Sequence, residues 1–115
     1  MQTLQITSET RDNAVLAYLS GEARNDPGEP LRNALAALAA TEPDLVVLDL
    51  SGLSYIATVG LGELISFRER IAAQSGKLRL AGAEPHVTDL FERTRLREVF
   101  PIYPDAETAL GGANG

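Results

Sequence analysis

The sequence has no cysteine and a single histidine, His86, among its 115 residues. The absence of cysteine excludes disulfide bonds, thiolate metal sites and a cysteine nucleophile. General acid–base and nucleophilic catalysis need a tuned base within reach of a reacting group, and one histidine offers little of this chemistry. His86 follows Pro85 at a polar helix start, where we expect an exposed side chain. We therefore predict a protein that is not an enzyme and has no metal site.

Long apolar runs and glycine-rich phosphate loops are also missing. No apolar stretch approaches the roughly 20 residues that span a bilayer, and Met1-Gln2-Thr3 does not open a signal segment. Gly60-Leu61-Gly62 lacks the third glycine of a dinucleotide-binding loop, so nucleotide binding is only weakly indicated. The net charge of −6 is spread along the chain, which argues against nucleic acid and anionic lipid as partners. We expect a cytoplasmic protein with protein partners, no cofactor and no direct membrane insertion.

The first half of the sequence has the pattern of a hairpin, a helix and a buried strand. Leu4 and Ile6 alternate with polar residues, and a polar turn over 9–13 separates them from the apolar stretch 14–19. The unbroken run Leu45–Leu50 is typical of a central strand that is buried on both faces. Between the hairpin and this strand, a helix is indicated by an apolar stripe at i, i+3, i+4 and i+7, formed by Leu31, Ala34, Leu35 and Leu38.

The second half continues this alternation after a predicted loop over 51–59. A second helix is expected because Leu61, Leu64, Ile65, Arg68, Ile71 and Ala72 repeat with helical period. A short strand over 77–82 and a helix that opens at Pro85 follow, the latter with Val87, Leu90, Phe91 and Thr94 on one face. A strand over 99–103 and a final helix from Asp105 to Leu110, capped by Asp105, complete the pattern.

The resulting order is ββαβαβα, which predicts a mixed α/β domain. Right-handed strand–helix–strand crossovers make the middle strands parallel, with helices packed on the sheet, and the opening hairpin adds an antiparallel pair. We expect one domain over residues 1–110 and a flexible tail over 111–115, because the tail has nothing to bury. Tyr18 and Tyr55 are expected to be partly buried packing residues.

Asp49, at the end of the central strand, has the position of the phosphorylated aspartate in a response-regulator receiver. That family also needs an acidic pair after the first strand and a lysine at the end of a later strand. The first two strands have no such pair, and the only lysine, Lys77, begins its strand. We therefore interpret Asp49 as a structural residue that accepts hydrogen bonds from the Ser51-Gly52 turn.

Residues 48–62 read LDLSGLSYIATVGLG. This segment resembles the signature of the STAS family (sulfate transporter and anti-sigma factor antagonist), in which a buried strand ending in D-L-S-G leads to I-D-S-S-G-L-G. The similarity includes Gly76–Leu80, the helix after Pro85 and Leu96–Tyr103, so it covers nearly the whole chain. It implies a STAS-type mixed β-sheet. Leu96–Tyr103 is similar to the closing segment of bacterial anti-sigma factor antagonists.

In those antagonists, the first serine of the loop is phosphorylated by an anti-sigma factor that is itself a kinase, and phosphorylation releases the complex. Alignment on Gly60 puts Thr58 at the phosphoacceptor position, whereas Ala57 replaces the family's acid and Val59 its second hydroxyl. The resemblance thus implies a kinase-type anti-sigma factor as partner. The expected partner-binding residues are Ser54, Tyr55, Ala57, Thr58, Val59, Gly60, Glu63, Ser66 and Arg68.

Other interpretations of Thr58 remain open at this point. Its hydroxyl suits the N-cap of the second helix, with or without a regulatory role. The loop also resembles the D-T-A-G-L of the STAS subunit of bacterial lipid-transport ABC systems, which is a constitutive adaptor. A nucleotide-sensing STAS module is a third reading, and a homodimer is compatible with each of them.

Overall fold

A computed structural model of the chain describes residues 3–24 and 29–111. Over these residues the chain forms five strands, four α-helices and one 3₁₀-helix, Leu96–Glu98. The elements are β1 Gln5–Arg11, β2 Ala14–Ala23, α1 Glu29–Ala40, β3 Leu45–Ile56, α2 Thr58–Ala73, β4 Lys77–Ala81, α3 Pro85–Arg93, β5 Ile102–Tyr103 and α4 Ala106–Gly111. This is the predicted ββαβαβα order, with the short β5 and α4 at its end.

The strands form one mixed sheet in the order β1-β2-β3-β4-β5. β1 and β2 pair antiparallel, and every later pair is parallel, as expected for a hairpin followed by helical crossovers. β3 is the central strand, and Leu45–Leu48 are buried without interruption. The predicted central position of the Leu45–Leu50 run and the mixed α/β fold are confirmed.

Helices cover the two faces of the sheet unequally. Because side chains alternate along each strand, Val46 and Leu48 join the larger core, and Leu45 and Val47 join the smaller one. The larger core includes the buried residues of α1, α2 and α3; the smaller one includes Ala109 of α4. The sheet thus has a thick helical layer on one side and a single short helix on the other.

The predicted loop over 51–59 is wrong, because β3 continues to Ile56. Gly52, Leu53, Tyr55 and Ile56 pair with residues 20–23 of β2, and the register is irregular before this stretch and again between Gly21 and Glu22. The same pairing extends β2 to Ala23, past the predicted end at Ser20-Gly21. Leu53 and Ile56 have exposed fractions of 0% and 3%, so this second half of β3 is anchored by buried side chains.

Two other predicted boundaries also change. The hairpin turn is only Asp12-Asn13, because Arg11 pairs with Ala14 and Asp12 has a φ of 55°. At the other end, the predicted strand over 99–103 is reduced to Ile102–Tyr103. Phe100 turns into the core there, with an exposed fraction of 0%.

The C-terminal ends of α3 and α4 also differ from the prediction. Thr94 does not lie on the apolar face of α3; it follows the helix, and its hydroxyl donates a hydrogen bond to the Leu90 carbonyl at 2.8 Å. Gly111, predicted to begin the tail, is the last residue of α4. The rest of the predicted tail, residues 112–115, lies outside the described residues.

Asp105 caps α4, as predicted, because its Oδ1 accepts a hydrogen bond from the Thr108 backbone N–H at 2.7 Å. This bond holds the pKa of Asp105 below its ordinary value. Since folding lowers this pKa, the stabilisation is present at pH values above the unfolded-state pKa and is lost as the pH falls through the folded-state pKa. We therefore expect Asp105→Ala to lower the free energy of unfolding at neutral pH and to lose that effect in strong acid.

Urea denaturation at several pH values measures this difference. Asp105→Asn is the matched control, because an asparagine side chain can also cap the helix but does not titrate. A gap between wild type and Asp105→Ala that stays constant down to strong acid would contradict a contribution from the ionised carboxylate.

Candidate functional site

The candidate site is the junction between β3 and α2, where Ala57 is the only linking residue. Ala57 has an extended backbone, with φ −83° and ψ 165°, and its N–H donates to the Ala23 carbonyl at 2.7 Å. It is the N-cap of α2 but has no side-chain acceptor, so no side chain caps the helix. Thr58 is the first helical residue. The interpretation of Thr58 as the N-cap is therefore wrong.

The first turn of α2 packs closely against the last residue of β3, and this packing determines which way the Thr58 side chain points. Gly60 is buried, and a Cβ atom added there would lie 2.7 Å from Cγ1 of Ile56, the last residue of β3. Ala57 and Leu61 are buried beside it, with exposed fractions of 3% and 5%. Because the buried side of this turn faces the core, Thr58 and Val59 are exposed.

Tyr55 adds an exposed aromatic ring to the same junction. Its exposed fraction is 43% and that of Val59 is 44%, so the prediction that Tyr55 is a packing residue is wrong. The other exposed large apolar residue of the described chain is Tyr18 on β2, whose prediction as a packing residue is also wrong. Arg24 lies over the Tyr55 ring, with Cζ 5.2 Å from the ring centroid, and this contact orients the aromatic side chain.

We call the exposed residues Tyr55, Thr58, Val59, Gly62 and Ser66 the Thr58 surface. Thr58, Gly62 and Ser66 follow one another at a spacing of four, which places them on one side of α2. The surface therefore combines the Thr58 hydroxyl, the large side chains of Tyr55 and Val59, and the small residues Gly62 and Ser66. Such a surface is suited to close contact with another protein.

Two backbone carbonyls hold the strand beneath this surface. The Ser54 hydroxyl donates to the Gly21 carbonyl at 3.0 Å, so Ser54 supports the strand pairing. The Ser54 carbonyl lies 2.6 Å from Nε2 of His86, which must act as the donor since a carbonyl only accepts. His86 is exposed, as predicted, but its link to β3 was missed because no local pattern connects residues 32 positions apart.

The remaining predicted binding residues separate onto two sides of α2. Glu63 and Ser66 line a groove between α1 and α2. Arg68 lies on the other side of the helix, where its Nε donates to the Val99 carbonyl at 3.1 Å. The structure therefore does not bring Arg68 together with Glu63. Arg32 and Arg70 line the α1–α2 groove instead, and sequence reasoning missed both for the site.

Asp49 has a structural environment. Its Oδ1 accepts the Ser51 backbone N–H at 2.9 Å, as predicted, although Ser51 lies within β3 and not in a turn. Over residues 3–24 and 29–111, no three histidine, aspartate or glutamate side chains are grouped closely enough to bind a metal ion. In the same part of the chain, no helix has the length and apolar character to cross a membrane.

The sequence model of the STAS domain family matches residues 5–109, which is nearly the whole chain. The chain belongs to the STAS domain family. Residues 48–62, which resemble the STAS signature, run from β3 through Ala57 into the first turns of α2.

Relatives of this STAS domain carry regulatory names. A Bordetella bronchiseptica protein with the provisional name anti-sigma factor antagonist BtrV is 30% identical over 106 residues, 92% of this chain and 91% of its own. The Mycobacterium tuberculosis anti-sigma-F factor antagonist RsfA is 28% identical over 109 residues, 93% of this chain and 85% of its own. The crystal structure of an anti-sigma factor antagonist from Mycobacterium paratuberculosis has a TM-score of 0.89 and 26% identity, covering 98% of this chain and 96% of that one.

Proposed function

We propose that this STAS domain is an anti-sigma factor antagonist. It binds an anti-sigma factor that has kinase activity through the Thr58 surface, and phosphorylation of Thr58 ends the binding. The observation that carries the proposal is the exposed Thr58 hydroxyl on the first turn of α2, beside exposed Tyr55 and Val59. The regulatory names of the relatives support the same class of partner.

The chemistry of the surface favours a protein partner. Exposed aromatic and aliphatic side chains provide apolar area that becomes buried on binding, and tyrosine is enriched among the residues that dominate binding energy. Gly62 and Ser66 leave room for the partner to approach the α2 backbone. The interface would therefore have an apolar centre around Tyr55 and Val59, with the Thr58 hydroxyl inside it.

Phosphorylation would act on the complex and not on the fold. A phosphate adds about −1.5 to −2 charges, which are expensive to dehydrate inside a docked interface. In the free protein, the same phosphate lies at the N-terminus of α2, where the helix dipole stabilises negative charge. No side chain caps this end, so its backbone N–H groups are not engaged by a cap. The modified free protein therefore stays folded while the complex dissociates.

Reconstitution with the anti-sigma factor encoded nearest to this chain's gene tests the proposal. Calorimetry is expected to give a one-to-one complex, and addition of the STAS domain is expected to free the sigma factor from its anti-sigma factor. Absence of both binding and sigma release would contradict the function. Co-purification with an ATPase and a membrane permease would favour the transporter-adaptor reading instead.

Tyr55→Ala is expected to weaken the anti-sigma factor complex about tenfold, because it removes an exposed aromatic ring from the centre of the interface. Tyr18→Ala is the matched control, since Tyr18 is also an exposed tyrosine, at 39% against 43%, but lies on β2 outside the Thr58 surface. Calorimetric titration of both variants measures the difference. Equal losses for the two variants would place the interface elsewhere.

A further inference from the structure

The groove between α1 and α2 has a charge opposite to that of the chain as a whole. It has a volume of about 240 Å³ and is lined by Arg32, Leu35, Ala36, Glu63, Ser66, Phe67 and Arg70. Two of these side chains are cationic and one is anionic, whereas the chain carries a net charge of −6. A cationic groove on an acidic protein attracts anionic groups that the rest of the surface repels.

The two arginines of the groove form no ion pair in the described part of the molecule. Arg32 and Arg70 are both exposed, and neither forms an ion pair with a described side chain, including Glu63 in the same groove. By contrast, Arg11, Arg24 and Arg97 each pair with a glutamate. Guanidinium groups present planar donors that match carboxylates in geometry. The groove is therefore ready to receive acidic side chains.

The floor of the groove adds an apolar component. Leu35 of α1 and Phe67 of α2 lie at its base and are buried, with exposed fractions of 3% and 4%, while Ala36 is exposed on its wall. A ligand that contacts all of these residues would combine carboxylates with an apolar side chain. A segment of a folded protein with acidic residues around an apolar residue has this chemistry.

The groove is continuous with the Thr58 surface through Ser66, which belongs to both. A partner that lies along α2 from Thr58 therefore reaches Arg70 within the same helix. We propose that the α1–α2 groove binds an acidic segment of the anti-sigma factor and forms a second, electrostatic part of the interface. This inference rests on the proposed function and adds the chemistry that the partner must have.

Removal of both charges tests the proposal. Arg32→Gln/Arg70→Gln is expected to weaken the complex about tenfold at low salt, mainly through slower association, and to reduce its salt dependence. Arg32→Glu/Arg70→Glu is expected to have a larger effect, although a glutamate at position 70 lies near the C-terminus of α2, where it opposes the helix dipole. The glutamine variant avoids this cost, and circular dichroism checks that both variants are folded.

The matched control is Arg93→Gln/Arg95→Gln, because Arg93 and Arg95 are exposed arginines at the end of α3 that do not line the groove, and this variant removes the same two charges. Its association rate should follow the general change in net charge only. Surface plasmon resonance at low and high salt measures all variants against the same anti-sigma factor. If Arg32→Gln/Arg70→Gln associates as fast as Arg93→Gln/Arg95→Gln, the groove does not bind the partner.

The same experiment separates this inference from the proposed function. If Tyr55→Ala weakens binding and Arg32→Gln/Arg70→Gln does not, the proposed function is retained and the proposed role of the groove is overturned. No binding by the wild type would overturn both. Analytical sedimentation tests whether a second copy of this acidic chain occupies the groove. If the wild type is a dimer and Arg32→Gln/Arg70→Gln is a monomer, the groove is a homodimer interface and the proposal is overturned.

Discussion

Thr58→Glu is expected to weaken the anti-sigma factor complex on the order of a hundredfold, because an unpaired charge at the centre of a dehydrated interface is strongly unfavourable. The exposed position of Thr58 in the first turn of α2 means that the free protein does not bear this cost. A glutamate in the first turn of a helix is favourable for the macrodipole. The thermal stability of the variant should therefore equal or exceed that of the wild type.

Thr58→Val is the matched control, since valine keeps the β-branched shape and removes only the hydroxyl. It is expected to bind about as tightly as the wild type, within about 1 kcal/mol, and to resist phosphorylation. Calorimetry of these proteins includes Thr58→Gln, which has the size of glutamate without its charge and therefore separates the effect of charge from the effect of side-chain size. Equal affinity for Thr58→Glu and wild type would rule out a charge-based switch at this position.

Incubation with the kinase-type anti-sigma factor and ATP, followed by mass spectrometry, tests the modification itself. One phosphate on the peptide that contains Thr58 is expected for the wild type and none for Thr58→Val. Ala57 replaces the acidic residue of the family signature at the N-cap, so Ala57→Asp is expected to increase the phosphorylation rate if that carboxylate orients the hydroxyl or contacts the kinase. If the wild type binds the anti-sigma factor but is not phosphorylated by it, the protein is a constitutive antagonist.

The first half of β3 was predictable from the sequence, and its second half was not. Leu45–Leu50 is an apolar run that indicates a buried strand by itself. Ser51-Gly52 and Ser54-Tyr55 have the local composition of a turn, but the strand continues through them because Gly52, Leu53, Tyr55 and Ile56 pair with residues 20–23 of β2. Such pairing is between residues far apart in sequence, and a local pattern does not contain it.

The pattern of buried and exposed residues along α2 shows which site residues were predictable from the sequence. The sequence pattern included Arg68 in the helical repeat and omitted Phe67, whereas Phe67 is buried and Arg68 is exposed. Arg68 donates to the Val99 carbonyl, and Arg70 lines the α1–α2 groove. The exposure of Thr58 depends less on long-range packing, because Gly60 and Leu61 fix the turn that follows it. Long-range packing therefore decides the outer part of the site, and local sequence decides its centre.

Phe91→Ala is expected to lower the free energy of unfolding by about 3–5 kcal/mol, the usual cost of a cavity left by a buried aromatic ring. Phe91 has an exposed fraction of 0%, and its ring contacts that of Phe100 edge to face, with centroids 5.8 Å apart and an interplanar angle of 73°. This contact joins α3 to the segment that leads to β5, so its loss loosens both from the sheet.

Urea denaturation measures this loss, with Phe91→Leu as the control that keeps most of the apolar volume and costs about 1–2 kcal/mol. Because small domains have only about 5–15 kcal/mol of stability, Phe91→Ala is expected to populate the unfolded state measurably on mild heating. The anti-sigma factor should still bind the folded fraction with wild-type affinity, in contrast to Thr58→Glu, which stays folded and loses affinity. A Phe91→Ala protein that is fully folded but binds weakly would show that α3 and its neighbours belong to the interface as well as to the core.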